Sequence, residues 1–110
     1  MPSQPVKIVC FVPESSADAV RKAMGDAGAG RIGHYAYCSF SIDGTGRFKP
    51  TAGANPTLGT IGSVEQVSEE RIECVCERSL AKNVLQAIRM VHPYEEVGFD
   101  IYPLIAEADL

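Results

Sequence analysis

Short apolar runs separated by Gly, Pro and Ser organise this chain. PVKIVCFVP, residues 5–13, is rich in β-branched residues and bracketed by prolines, which predicts a buried strand. In SSADAVRKAMGDAGAG, Ser15 stands as N-cap with Asp18 three residues on. Val20, Ala23, Met24 and Ala27 follow at helical spacing until glycines stop the helix. HYAYCSFSI, residues 34–42, alternates Ala36, Cys38, Phe40 and Ile42 against Tyr35, Tyr37, Ser39 and Ser41, which predicts a second strand. Residues 43–62, DGTGRFKPTAGANPTLGTIG, hold no steady period and read as a long loop. So long a loop in a small domain points to function. VEQVSEERIECVCE resumes strand character. Ser79 then caps a second helix with Leu80, Val84, Ala87, Ile88 and Val91 on one stripe and Pro93 as its stop. VGFDIYPL ends the pattern, with Val97, Phe99 and Ile101 on one face.

The order β-α-β-β-α-β predicts an α+β ferredoxin-like sandwich. It has a four-stranded antiparallel sheet, two helices on one face, and a long loop between the second and third strands. Residues 1–110 form a single domain, since the length suits one core. Val9, Phe11, Tyr35, Tyr37, Val75 and Tyr102 fall on the face away from the helices. A sheet apolar on both sides wants a partner, so the chain is expected to form a homo-oligomer.

Composition changes this picture little. Net charge of −4 argues against nucleic acid, which selects a basic face. No apolar run nears the roughly 20 residues of a membrane helix. The start, MPSQPVKIVC, lacks a signal peptide's layout. The expected address is the cytoplasm, with Cys10, Cys38, Cys74 and Cys76 reduced.

Two stretches carry candidate chemistry. In DGTGRFKP, Gly44 and Gly46 can expose amide hydrogens to an anion, Arg47 and Lys49 add charge, and Phe48 can pack on a base or a neighbouring subunit. An anionic small molecule is the expected ligand, against the competing account of a packing arm with solvated charges. In HPYEEVGFDIYPL, His92 with Glu95 suggests a divalent metal, completed by His34 or Cys38. One His and two Glu in a turn make an incomplete ligand shell, so a structural turn is the stronger reading there. Cys74 and Cys76 share a face with Ile72 and read as core. No spacing spells a catalytic triad or dyad.

GRIGHYAYCSFSIDGTGRFKPTAGANPTLGTIG, VEQVSEERIE and HPYEEVGFDIYPL, in that order, resemble the Nif-three-like (NGG-one interacting factor three) family. The likeness runs from about Val6 to Leu104 and is to the domain inserted in longer members. The resemblance implies a fold like those of the signalling protein PII and the trimeric protein CutA, and from these a trimer ahead of a dimer. It also implies ligand binding at the loop between the second and third strands. Longer members hold two metal ions in flanking domains, and no residue of that site has a counterpart here. The expected function is therefore a small binding or regulatory module without its own catalytic centre. The alternatives are a divalent-metal-binding protein using His92 and Glu95, or an accessory domain of a separately encoded metal hydrolase.

Overall fold

The alternation of PVKIVCFVP decides the centre of the sheet. In the computed structural model, which describes residues 4–110, it forms strand β1, Pro5–Pro13. Val6, Ile8, Cys10 and Val12 are buried on one face of it. Helix α1 spans Ala17–Asp26, β2 Phe40–Phe48, β3 Glu65–Glu77, α2 Ala81–Val91 and β4 Phe99–Pro103. The sheet order is β2-β3-β1-β4, antiparallel at every pairing. Val20 and Met24 of α1 and Val84 and Ile88 of α2 join the even-numbered residues of β1 and Ile72, Cys74 and Cys76 of β3 in one core. Both helices thus cover one face, the ferredoxin-like, CutA-like arrangement. Among the described residues, no helix is long and apolar enough to cross a membrane.

Neither serine caps its helix. Ser15 and Ser79 each lie inside a 3-10 turn, Glu14–Ser16 and Arg78–Leu80. Backbone bonds from Ala17 to Glu14 and from Ala81 to Arg78 lead the chain into α1 and α2 instead.

The second strand begins six residues later than its alternation suggests and runs through 43–48, the expected start of the loop. Tyr37 sits at φ 59°, which bends the chain out of extended structure. Its ring lies against Gly25 of α1, where any side chain would collide with it, and its hydroxyl donates to Asp26 at 2.6 Å. Gly30, at φ 79°, donates to Val75 O at 2.7 Å and accepts from the Cys38 amide at 2.8 Å. Residues 27–39 thereby cover the end of β3 that β2 does not reach. The ladder from Phe40↔Glu73 to Phe48↔Glu65 then holds Gly44 and Gly46 extended despite their low strand propensity. The β2–β3 loop is residues 49–64.

The helix-free face is less apolar than the alternation implied. Tyr35 and Tyr37 lie outside the sheet. Val9 is fully buried on this face, and charged side chains flank it. Glu73 pairs with Lys7 at 3.3 Å and with Arg71 at 3.0 Å, and Arg71 donates to the Tyr102 hydroxyl at 3.4 Å. Phe40, Ile42 and Tyr102 remain the exposed apolar groups there.

Burial raises the Cys10 thiol from 9.0 to about 12, helped by the charge of Glu69. It raises Cys74 from 9.0 to about 11, helped by Cys76 and Cys38. Folding retains these protons, so the stability linked to them is complete below about pH 9 and is lost as pH rises through the folded values. At pH 8 the native chain should show one fast-reacting thiol, Cys38, and four after denaturation. Replacing Cys74 and Cys76 together by Ala should cost about 2 kcal/mol in denaturant unfolding. Cys38→Ser should stay within about 0.5 kcal/mol of the parent.

Candidate functional site

β3 outruns β1. Its Glu69–Glu77 stretch pairs with β1, while β2 pairs with Glu65–Glu73, so the β2–β3 hairpin projects past the end of β1. Loop 49–64 folds back from that hairpin onto the segment between α2 and β4. The Thr57 hydroxyl donates to Pro93 O at 2.7 Å, and the Asn55 amide donates to Glu95 Oε2 at 3.1 Å. A cavity of about 720 Å³ lies between loop, hairpin and segment. Phe11, Ile42, Gly44, Gly46, Phe48, Glu69 and Arg71 border it, all on the helix-free face by register.

The HPYEE segment forms one wall. α2 stops at Val91, and His92 takes the extended conformation (φ −79°, ψ 135°) that a following proline favours. The turn carries the imidazole into the protein, where it is 7% exposed. Nδ1 accepts the Tyr94 amide at 3.1 Å, so the proton stands on Nε2, which meets Phe11 O at 2.7 Å. The Tyr94 ring packs beside His92 and Phe48, with centroids 5.0 and 5.7 Å away. Its hydroxyl donates to Glu69 Oε2 at 2.9 Å. Burial pushes the Tyr94 phenol well above its usual 10.0, and the bond to Glu69 and its charge push the same way.

All five residues expected at an anion site, Gly44, Gly46, Arg47, Phe48 and Lys49, border the cavity. The two glycines do so from a paired strand, opposite Glu69 and Val67, rather than from an amide nest. Their value is the absence of a side chain, since one at Gly46 would take the place of the Glu69 carboxylate. Arg47 and Lys49 have no ion pair among the described residues, whereas Arg71 is engaged by Glu73. The expected metal ligands do not meet. His92 spends both ring nitrogens on backbone, Glu95 holds the loop, and His34 sits in the exposed turn closed by Ile32 and Tyr35. No three His, Cys, Asp or Glu among the described residues are grouped to hold a metal.

Sequence reasoning missed Glu69 and Tyr94 as cavity residues. The signal was a carboxylate amid alternating strand residues, placed where the partner strand offers only glycine. It becomes visible once the Gly44↔Glu69 register is known.

His92→Ala removes two buried hydrogen bonds and should cost about 3 kcal/mol in denaturant unfolding. Tyr94→Phe should cost about 1 kcal/mol at neutral pH. Because the folded chain holds the Tyr94 proton more tightly than the unfolded one, its contribution is complete below about pH 10 and lost above it. Tyr94→Phe should therefore flatten the alkaline fall in stability, as read by melts at stepped pH.

No family model matches the chain. It is 48% identical over 98 residues to the GTP cyclohydrolase 1 type 2 homolog of Bacillus subtilis, covering 89% of this chain and 26% of that protein. A solved Bacillus cereus protein related to NIF3 superposes with a TM-score of 0.83 at 47% identity, over 94% of this chain and 26% of that one. The periplasmic divalent cation tolerance protein CutA of Archaeoglobus fulgidus shares the fold, with a TM-score of 0.68 at 13% identity over 93% of this chain and 85% of its own. The chain spans about a quarter of the length of the curated relatives it matches. Over nearly all its residues it therefore resembles one CutA-like segment of the NIF3-related proteins.

Proposed function

We propose that this chain is a self-associating binding module that takes an anionic small molecule in the cavity beneath loop 49–64 and has no catalytic centre of its own. One observation carries the reading. Arg47 and Lys49, two cations without an ion-pair partner among the described residues, border a cavity of about 720 Å³ with aromatic walls. By register Arg47 falls on the face of β2 opposite Gly46 and Phe48, so it flanks the cavity at the free edge of this outermost strand, where a guanidinium offers paired donors to phosphate or carboxylate.

The chemistry around the cavity supports binding over catalysis. His92 has neither nitrogen free for proton transfer or for a metal. Self-association is supported by Phe40, Ile42 and Tyr102, which stay exposed on one sheet face around the Arg71–Glu73 pair.

Isothermal titration with mono- and diphosphates and di- and tricarboxylates should find an anion bound at micromolar affinity. Arg47→Ala should weaken it about tenfold or more. Binding that is absent below the millimolar range, or indifferent to Arg47, would sink the reading. Light scattering at micromolar concentration should give a closed oligomer. Phe40→Asp should shift it to monomer with little change in melting temperature, and a monomeric parent would end the self-association proposal.

A further inference from the structure

Among the described residues, Glu69 is a buried carboxylate without a counter-ion. The residue is 8% exposed, and no cation pairs with it among the described residues. Its one hydrogen bond is the neutral phenol of Tyr94, to Oε2. Arg71, two residues on and facing the same way, is turned to Glu73 and Tyr102. A carboxylate removed from water with one neutral donor stands at a cost that a folded chain ordinarily avoids.

The placement is built. Gly46 leaves room for the carboxylate, since any side chain there would displace it. Tyr94 holds one oxygen, and Tyr94 is itself placed by its amide bond to His92. The other oxygen, Oε1, takes no hydrogen bond, yet among the described residues no fully enclosed side-chain oxygen lacks one. It is therefore reachable, and Glu69 borders the cavity.

We propose that Glu69 receives an N–H donor of the ligand, so that the cavity selects an amphoteric molecule. An ammonium or amino-heterocycle N–H meets Oε1 while an anionic end meets Arg47 and Lys49. The inference rests on the cavity being the binding site proposed above, and it adds what the other end of the ligand must carry. A fixed, largely buried carboxylate with one reachable oxygen makes a charge-assisted bond to such a donor and repels a second anion. Phe48 and Tyr94 offer flat surfaces beside it.

Matched pairs test this on the full chain by isothermal titration: glutamate against glutarate, and AMP and GMP against ribose 5-phosphate. The first pair reads an ammonium, the second an amino-heterocycle. In the pair that fits, the N–H-bearing member should bind about tenfold or more tighter. Glu69→Gln should bring that ratio close to one and leave the donor-free partner bound as well or better. Tyr94→Phe keeps the carboxylate but releases Oε2, and should lower the ratio less than Glu69→Gln does, whereas an equal loss in both variants would mark the Glu69–Tyr94 pair as purely structural. Equal binding within both pairs, with Arg47 still required, would overturn the role of Glu69 and leave the anion site standing. No binding by any of the five probes would overturn both.

Discussion

The imidazole of His92, bonded at both nitrogens, is the constraint on which the site depends. It ends α2, reaches Phe11 O on β1, and fixes the Tyr94 amide two residues on. Each bond alone contributes about 1 kcal/mol net, but both are sheltered, and losing the ring would leave buried backbone groups unpaired. Through Tyr94 the same constraint reaches Glu69 on β3. Helix end, central strand and cavity wall are therefore positioned by one side chain, and the segment after Pro93 inherits its direction from it.

A second constraint comes from the hairpin. β2 contributes backbone to β3 along Phe40–Phe48, yet at Gly44 and Gly46 it contributes no bulk. The missing side chain of Gly46 is answered from across the ladder by Glu69, the space over Gly44 stays open, and loop residues such as Pro56 and Thr57 line the cavity's other side. A strand with low intrinsic propensity is retained because its neighbour is strongly patterned and pairs with β1 on its other edge. The projecting hairpin would otherwise be a two-stranded ribbon with little core. The hydroxyl of Thr57 on Pro93 O and the Asn55 amide on Glu95 tie its loop to the body.

The elements with a dominant period were legible. β1 matches its run residue for residue, and Val84 and Ile88 fall on the face their spacing assigns. β2 was misplaced because alternation in residues 34–42 is real but local. Tyr37 breaks it by packing on Gly25, a contact no strand pattern contains. Arg47, Phe48 and Lys49, which border the cavity, could be named as candidates because charge and glycine are visible in one dimension. Glu69 and Tyr94 were not, because their meaning lies in register and in a bond between residues 25 positions apart. His92 drew notice as a metal ligand because Glu95 stands close by at a turn, but backbone groups claim both its nitrogens.

These constraints meet in the cavity and divide its polar groups into two kinds. Glu95 and Arg71 are already spent, the first on the Asn55 amide and the second on Glu73 and Tyr102. Their charges shape the walls without offering a strong new contact. The side chains of Arg47, Lys49, Asp43 and Glu96 and the second oxygen of Glu69 take no ion pair or hydrogen bond among the described residues, and they carry opposite signs around one space. A cavity whose uncommitted groups were all cationic would attract any anion and discriminate by charge alone. Adding one fixed carboxylate converts attraction into selection, because a bare anion then meets repulsion where an N–H-bearing one meets an acceptor. The glycine floor makes that carboxylate possible, and the His92–Tyr94 bond keeps it in place. On the proposed reading, selectivity is set by how α2 ends as much as by loop 49–64.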